Sequence, residues 1–338
     1  MTLTAVIAGI THWHAPRYVR ILGGRGVQLL GASDADPLLG RAAADRYGIS
    51  FEPDTTCLLD KTRPDLALVL PRHDLATAEI AAVAAYGVAI LVEKPMGRNG
   101  REAAASAAAV RNAGIFASVC LPNRHLGIWD AYRALADEGA LGTLLHAHFR
   151  TINGPPSRYI AYGVPWMLEP EISGGGALRN LGIHGADAIC SLAAGRPLTV
   201  AGARTGDAGH GGRNEDFAAA VCATDDGFIA TLEAGYTYAN QQEGGDYEWR
   251  IAATGAYLRE CNGRLVVHRR GASIEEHAVP TPHLAYELMV NAALDAFEAG
   301  AAPPATVEDC VRAVELQDRI YAAAATARAS DPVSPSQT

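Results

Sequence analysis

The chain has 338 residues, 49% of them apolar, and a formal net charge of −9. This length and apolar content suffice for two domains, or one large domain, with a buried core. The acidic balance and the lack of a long basic run argue against nucleic acid or an anionic membrane surface as a partner, and every apolar run is too short to span a bilayer.

The first residues enter an apolar run, Leu3–Ile7, with no basic segment or cleavage-site pattern before it. We therefore expect no secretory signal. The six cysteines show neither CxxC spacing nor a pairing pattern, which is typical of reduced thiols. Both features predict a cytoplasmic protein.

Residues 1–121 alternate short apolar runs with amphipathic stretches, which predicts an α/β dinucleotide-binding domain with a doubly wound parallel sheet of the Rossmann type. Asp36 followed by Pro37 marks a helix start, and Gly48 and Gly114 mark helix ends. The predicted strands are Thr4–Ala8, Val27–Ser33, Leu66–Leu70, Val88–Val92 and Ile115–Val119.

The first strand ends in a turn that carries one glycine of a dinucleotide fingerprint, Gly9. Thr11 and His14 stand where the second and third glycines would be, so the motif alone is weak. Its position, at the first turn and before a helix N-terminus, favours an anion site nonetheless. His12 and Trp13 are expected to line the cofactor cleft.

Asp34 ends the second predicted strand, 25 residues after Gly9. A carboxylate there can accept from a ribose 2′-hydroxyl and repels a 2′-phosphate, so we expect NAD in preference to NADP. A plain helix-capping aspartate is the alternative. Pro71 and His73 follow the strand Leu66–Leu70 and, with Glu93 and Lys94, complete the predicted cofactor contacts. No cysteine or carboxylate joins the histidines at ligand spacing, so we predict no metal site.

Glu93, Lys94 and Pro95 follow the apolar run Val88–Val92. The carboxyl edge of a parallel sheet is where such folds bind ligands, and the proline stops the strand. Lys94 is therefore a candidate for the reacting centre, with a solvated loop lysine as the alternative.

Residues 122–330 predict an α+β domain for substrate binding and oligomerisation, with a largely antiparallel open sheet. Such a sheet favours a homodimer or homotetramer. We expect the last helix to pack back on the first domain and residues 331–338 to form a disordered tail. The predicted elements are helices Asn123–Ala140, Pro282–Ala299 and Thr306–Ala329 and strands Leu144–Thr151, Leu198–Thr205, Asp216–Thr224, Gly227–Tyr238, Trp249–Ala253 and Arg264–Arg269.

Three glycines at 174–176 precede a mostly apolar segment in which Asn180, His184 and Asp187 fall on one helical face. Apolar residues occupy most of the circumference of this helix, which predicts that it is buried. Buried polar groups need hydrogen-bond partners. A satisfied core histidine is the alternative to a site. Four further residues are candidates for the substrate pocket, although each could equally be a surface or core residue: Arg124, Tyr159, Trp166 and Arg179.

With the Glu93-Lys94-Pro95 motif and the glycine-rich segment at 174–187, the chain resembles the glucose–fructose oxidoreductase, inositol dehydrogenase and rhizopine-catabolism (Gfo/Idh/MocA) family from Leu3 to about Ala329. The resemblance implies NAD or NADP in the first domain and interconversion of a secondary alcohol and a ketone of a sugar or polyol. It also implies that Lys94 is the catalytic lysine and that His184 is the general base of an Asp-x-x-x-His pattern, in which Asn180 replaces the aspartate.

The chemistry fits these residue types. Imidazole titrates near neutrality and can take the hydroxyl proton, and the Lys94 ammonium can stabilise charge on oxygen. Glu93 is expected to hold Lys94 by a hydrogen bond, Asn180 to contact the substrate oxygen, and Asp187 to orient the His184 ring.

Two other functions remain open from the sequence alone. One is a sugar lyase or glycosidase whose nicotinamide is not consumed. The other is a non-catalytic NAD-binding sensor, which the substitutions at Thr11, His14 and Asn180 would favour.

Overall fold

A computed structural model of the chain describes residues 2–240 and 245–330. The predicted tail at 331–338 lies outside the described residues. Among those described, no helix is both long enough and apolar enough to span a membrane.

The first sheet has six parallel strands in the order β3-β2-β1-β4-β5-β6. This is the strand order of a doubly wound dinucleotide fold and confirms the predicted α/β class. The sequence missed β3, which is only three residues long and shows no periodicity. The strands are β1 Thr4–Ala8, β2 Gln28–Ser33, β3 Ser50–Glu52, β4 Leu66–Val69, β5 Ala89–Glu93 and β6 Ala117–Cys120.

Five helices connect these strands. The helix after β2 begins where Asp36 accepts from the amides of Leu38 and Leu39, and it ends at Gly48 in the left-handed conformation. These are the predicted start and stop signals, and both are confirmed. The helices are α1 Ala15–Gly24, α2 Pro37–Tyr47, α3 Thr55–Thr62, α4 Ala76–Ala85 and α5 Gly100–Ala113.

The predicted single helix Asn123–Ala140 is wrong. A short 3-10 turn covers Pro122–His125, and helix α6 then spans Gly127–Asp137. The interruption lies at Leu126, whose backbone is extended.

The second sheet has eight strands in the order β14-β13-β12-β11-β7-β10-β9-β8, antiparallel except for the pair β7 and β10. The sequence missed β12, whose buried face carries Glu260, and β14, which is exposed throughout and lacks apolar alternation. The strands are β7 Leu144–Ile152, β8 Leu198–Gly206, β9 Phe217–Thr224, β10 Ile229–Gly235, β11 Asp246–Ala253, β12 Ala256–Cys261, β13 Arg264–Arg269 and β14 Ile274–Ala278.

Helices cover one face of this sheet. α10 packs on β7 and β10, and α12 packs on α10 and β8. α12 also lies along α5 of the first sheet's layer, so it contacts both halves of the chain. The remaining helices are α7 Ser157–Ala161, α8 Pro170–Ser173, α9 Ala177–Asn180, α10 Gly182–Ala193, α11 Pro282–Glu298 and α12 Val307–Ser330.

Candidate active site

The loop after β1 begins at Gly9, whose φ is +90°. A Cβ atom there would lie 2.1 Å from the main-chain oxygen of Leu70, so only glycine lets the ends of β1 and β4 come this close. The amide of Gly9 donates to the Ser33 carbonyl at 2.8 Å. Packing at the sheet edge thus requires the one fingerprint glycine that the chain retains.

Thr11 occupies the second fingerprint position and is tied to Asp34. Its amide and its hydroxyl both donate to Oδ2 of Asp34 at 2.8 Å, while Oδ1 accepts from the amide of Asp36 at 2.9 Å. The Thr11 side chain is therefore engaged by the carboxylate at the end of β2. Oδ2 thus accepts two hydrogen bonds, while Oδ1 still has a free lone pair for a further donor.

A cavity of about 520 Å³, here called the cofactor cavity, opens at this loop. Five residues predicted to bind the cofactor line it: Gly9, Thr11, His12, Asp34 and Pro71. Trp166, which the sequence assigned to the substrate pocket, also lies here, and that prediction is corrected. The sequence missed several other residues of the lining, among them Asp36, Asp54, Arg72 and Glu79.

His73 lies behind the cofactor cavity with its ring centroid 5.2 Å from that of Trp166. Its Nδ1 atom donates to the Ser173 carbonyl at 2.7 Å, which leaves Nε2 as a buried acceptor without a partner among the described residues. His73 does not line the cofactor cavity, although the sequence predicted a cofactor contact there. The Asp34 carboxylate and the cavity's position at the β1–α1 turn fit a nicotinamide dinucleotide.

The segment from His12 to His14 separates this cavity from a second one. The ring of His12 stacks on that of Trp13 at a centroid distance of 3.8 Å. The Nδ1 atom of His12 accepts from the amide of His14 at 3.1 Å. Trp13 lines the second cavity and not the cofactor cavity, which corrects its predicted place. Burial lowers the pKa of both histidines.

Glu93 does not bond Lys94, contrary to the expectation from the sequence. Its Oε1 atom accepts from the Tyr18 hydroxyl at 2.6 Å and from Nδ1 of His14 at 2.8 Å. Burial opposes ionisation of this carboxyl, yet the neighbouring histidines and Lys94 hold its pKa below the usual range. Glu93 is thus a buried anion that compensates cationic charge at the end of β5.

Lys94 reaches across the second cavity to Asn180. Its Nζ atom donates to the main-chain oxygen of Asn180 at 2.9 Å and to Oδ1 at 2.8 Å. Because an ammonium can only donate, these bonds fix which end of the amide faces the lysine. Burial lowers the pKa of Lys94, and the charge of Glu93 opposes that effect.

The Nδ2 atom of Asn180 faces two tyrosines. It lies 2.6 Å from the hydroxyl of Tyr159 and 3.0 Å from that of Tyr236. Because an amide nitrogen donates, both hydroxyl oxygens accept from Asn180, and neither hydroxyl hydrogen is used in these bonds. The hydrogen of Tyr159, which lines the cavity, is left to donate there.

The predicted helical face at 180–187 is only partly correct, because the helix is interrupted at Leu181. Asn180 and His184 both line the second cavity. Nδ1 of His184 is buried without a partner among the described residues, which leaves Nε2 for a substrate. Burial, with repulsion from Lys94, lowers the pKa of His184 to about 3, so this imidazole does not titrate near neutrality as the sequence led us to expect.

Asp187 does not orient the His184 ring. Its two carboxylate oxygens accept from Arg124 at 2.6 and 2.8 Å, and the same guanidinium contacts Asp309 at 2.9 Å. Arg124 therefore holds α10 to the start of α12, outside both cavity linings, which corrects the predicted roles of both residues.

The three glycines at 174–176 are close-packed. Cβ atoms at Gly174, Gly175 and Gly176 would lie between 2.1 and 2.4 Å from atoms of Arg98, Tyr321 and Glu215 respectively. Side chains at these three positions would therefore overlap neighbouring atoms.

Arg179, a candidate for the substrate pocket, is fully buried against α12 instead. It donates to Asp318 and to Oε1 of Gln317. Its role is to anchor the segment that presents Asn180, and its predicted place in the pocket is corrected.

The second cavity has a volume of about 590 Å³ and is called here the substrate cavity. Four of the residues predicted to bind the substrate line it: Lys94, Asn180, His184 and Tyr159. Sequence reasoning missed the rest of the wall, which comes from separate elements without a shared motif: His14, Arg17, Asn123, Thr151, Asn153, Arg158, Tyr162, Leu181, Tyr238, Gly245, Tyr247, Asn262, Thr281, His283 and Tyr286.

Among residues 2–240 and 245–330, no group of three or more His, Cys, Asp or Glu side chains is arranged to hold a metal ion. The arrangement instead brings a lysine, an imidazole and a tyrosine hydroxyl to one cavity, beside a cavity suited to a dinucleotide. These groups can polarise, protonate or deprotonate a substrate oxygen.

The sequence matches two family profiles. Residues 4–120 match the oxidoreductase family with an NAD-binding Rossmann fold. Residues 129–259 match the GFO/IDH/MocA C-terminal domain.

Individual proteins are also similar. The chain is 32% identical over 169 residues to the putative UDP-kanosamine synthase oxidoreductase subunit of Amycolatopsis mediterranei (strain S699). This match covers 49% of this chain and 44% of that relative. It is 26% identical over 331 residues to 1,5-anhydro-D-fructose reductase of Ensifer adhaerens, a match that covers 93% of this chain and 92% of that relative. Its fold matches that of an inositol dehydrogenase homologue from Azotobacter vinelandii, solved with NAD+, with a TM-score of 0.83 at 16% identity over 96% of each chain.

Proposed function

This chain belongs to the Gfo/Idh/MocA family of oxidoreductases with an NAD-binding Rossmann domain, and we propose that it transfers a hydride between NAD(H) and a secondary alcohol or ketone of a sugar or polyol. The observation that carries the proposal is the pairing of Lys94 with Asn180 in a cavity that also holds His184 and adjoins the cofactor cavity. The printed names of the relatives, a reductase of an anhydro-sugar among them, support this substrate class.

NAD is the proposed cofactor. Gly9, Thr11 and His12 surround the turn at the N-terminus of α1, where backbone amides favour an anion. Asp34 supplies the acceptor for a ribose 2′-hydroxyl and would repel a 2′-phosphate. The bound nicotinamide supplies the hydride acceptor or donor.

Residues of the substrate cavity stabilise charge on the substrate oxygen, accept its proton and position the substrate. The Lys94 ammonium stabilises the negative charge that develops on the substrate oxygen. Nε2 of His184 accepts the hydroxyl proton during oxidation, and its neutral form is available throughout the physiological range because its pKa is about 3. Asn180 positions Lys94 through Oδ1, and Tyr159 donates to a substrate oxygen.

A comparison of the two lysines tests this proposal. The chain has only two, Lys94 in the site and Lys61 on the surface, where it pairs with Glu52 at 2.7 Å. We expect Lys94→Met to bind NADH normally yet lose on the order of a hundredfold in turnover, about 2.7 kcal/mol of transition-state stabilisation. Lys61→Met is the matched control and should keep full activity.

The measurement is nicotinamide absorbance with NAD and a panel of pyranoses, inositols and sugar acids. Near-normal turnover of Lys94→Met would remove the lysine from the mechanism. Tight NADH binding with no redox turnover of any substrate would contradict a dehydrogenase and favour a sensor, and product formed without net nicotinamide reduction would favour a lyase or glycosidase.

We also propose a homodimer or homotetramer formed through the eight-stranded sheet. Support comes from its open face, where Val221 of β9 and Ile229 of β10 are exposed on the side away from α10. Ile229→Glu should lower the molar mass measured by light scattering if that face is the interface.

The six cysteines form no disulfide in the structure, which supports a reducing, cytoplasmic location.

A further inference from the structure

The acidic and basic side chains that line the substrate cavity are all basic. Its described lining contains three lysine or arginine side chains, Lys94, Arg17 and Arg158, and no aspartate or glutamate. The chain as a whole is acidic, with 37 carboxylate side chains against 28 lysines and arginines. The cofactor cavity shows the opposite bias, with four carboxylates and one arginine in its lining. The cationic character of the substrate cavity is therefore local.

Arg17 and Arg158 lack carboxylate partners among the described residues. Arg17 contacts Nδ1 of His283 at 3.0 Å and stacks over the Tyr286 ring at 4.1 Å. Arg158 donates to the Tyr162 hydroxyl at 3.1 Å. Neither contact neutralises a guanidinium. The many paired arginines elsewhere in the fold, such as Arg124, show that this chain readily supplies carboxylates where an arginine is structural.

Both guanidinium groups line the same cavity as His283 and Tyr247. Both act electrostatically on His283, whose pKa burial lowers and both arginines lower further. Both also act on the phenol of Tyr247. His283 lies in the first turn of α11, and the N-cap residue of that helix, Thr281, lines the cavity without making a side-chain cap. The positive end of the helix adds to the same field.

Two partly buried guanidinium groups without counter-ions among the described residues are a costly arrangement unless a ligand supplies the charge. Guanidinium groups bind carboxylates and phosphates through paired, charge-assisted hydrogen bonds. We infer that the substrate of this enzyme is an acidic sugar or polyol, whose carboxylate or phosphate is bound by Arg17 and Arg158 while Lys94 and His184 act on its hydroxyl. This inference rests on the proposed dehydrogenase function and names the substrate class.

Binding measurements test the inference without requiring turnover. Calorimetry of the NADH-loaded protein should give at least tenfold tighter binding of D-glucuronate or glucose 6-phosphate than of D-glucose, and the preference should shrink as ionic strength rises. The tighter of the two anions identifies the group as carboxylate or phosphate. Equal affinity for all three sugars would overturn the inference.

Variants then locate the anion site. Arg158→Gln and Arg17→Gln should each weaken binding of the preferred anion about tenfold or more and leave binding of D-glucose within twofold. Arg20→Gln is the matched control, because Arg20 lies on the same helix as Arg17 but is exposed and 3.6 Å from Glu287. If the Arg17 and Arg158 variants weaken NADH binding and leave the anion preference intact, the two arginines serve the cofactor and the inference fails.

The outcome is separable from that of the proposed function. Tight, arginine-dependent binding of an acidic sugar without turnover would support this inference and contradict the dehydrogenase. Turnover of neutral sugars with no preference for acids would support the dehydrogenase and contradict this inference.

Discussion

The Nζ atom of Lys94 lies 2.8 Å from the amide oxygen of Asn180 and 2.9 Å from the main-chain oxygen of the same residue. The lysine is thus held by two neutral acceptors where the Asp-x-x-x-His pattern would place a carboxylate. Glu93, the nearest buried anion along the chain, is bonded to His14 and Tyr18 instead. The replacement of aspartate by Asn180 therefore acts first on the lysine and only indirectly on His184.

The first prediction follows from this contact. In Asn180→Asp, a carboxylate beside Lys94 should raise the pKa of the ammonium, since an opposite charge at this distance shifts a pKa by about 1–3 units. Lys94 must be protonated to stabilise a developing oxyanion, so activity is lost as pH rises through its pKa. The alkaline limb of the pH–rate profile should move upward by about one unit, with dehydrogenase activity retained.

Asn180→Leu provides the contrast for this experiment, because it removes the acceptor without adding a charge. Its alkaline limb should move downward, because the Lys94 ammonium loses one of its two acceptors. An alkaline limb that stays in place in Asn180→Asp would mean that Lys94 is not the group that titrates there.

The second prediction concerns Tyr159, whose hydroxyl accepts from Asn180 and has its own hydrogen free to donate into the substrate cavity. Tyr159→Phe should raise KM about tenfold, near 1.4 kcal/mol, because the substrate loses one hydrogen bond. An aspartate at 180 would instead accept from Tyr159 and take up that hydrogen. Tyr159→Phe should therefore cost less in an Asn180→Asp background.

The double-mutant cycle is the measurement, with KM and kcat determined for all four proteins. Additive effects in the cycle would show that the amide at 180 does not direct the Tyr159 hydrogen.

Much of this site was predictable from the sequence because several of its residues directly follow the ends of predicted strands. An apolar run places Lys94 at the ligand edge of a parallel sheet, and the glycine-rich segment marks Asn180 and His184. The same reasoning gives the first sheet almost completely, since its strands are continuous apolar runs with helix caps between them.

The partners of these residues were not predictable. Asp187 bonds Arg124, which is 63 residues away, and not the histidine one turn before it. Arg17 and Arg158 have no motif and reach the cavity only because α1 and α7 pack beside it. Contacts of this kind depend on tertiary packing, which leaves no periodic signal in the sequence.

The third prediction tests cofactor choice at Asp34, which accepts from Thr11 and lines the cofactor cavity. Asp34→Asn keeps an acceptor for a ribose hydroxyl but removes the charge that repels a 2′-phosphate. NADPH affinity should rise about tenfold, about 1.4 kcal/mol, and NADH affinity should fall by less than that. Calorimetry with both reduced cofactors measures the change.

Asp54→Asn separates a specific contact from the general acidity of the cavity, because Asp54 also lines it and caps α3. An equal gain in NADPH affinity from Asp54→Asn would argue against selection by Asp34.

The last prediction concerns stability and Glu260, a carboxyl only 4% exposed on the buried face of β12. Burial raises its pKa to about 7, although the hydrogen bond from the Ile128 amide at the start of α6 opposes the shift. The carboxyl of an unfolded chain titrates near 4.3. Because the folded value is the higher one, folding favours the protonated form.

The contribution of Glu260 to stability is thus greatest below about pH 4.3 and is lost as pH rises to about 7. Glu260→Gln keeps an oxygen to accept from Ile128 and cannot ionise, so it should stabilise the protein at pH 8 by at most about 4 kcal/mol. Attraction between the carboxylate and the N-terminus of α6 makes the gain smaller.

Near pH 4.5 the variant and the native protein should unfold at similar temperatures. Thermal unfolding at both pH values measures the difference, with the exposed Glu276→Gln of β14 as control. A variant less stable than the native protein at pH 8 would mean that the ionised carboxylate stabilises α6 by more than its burial costs.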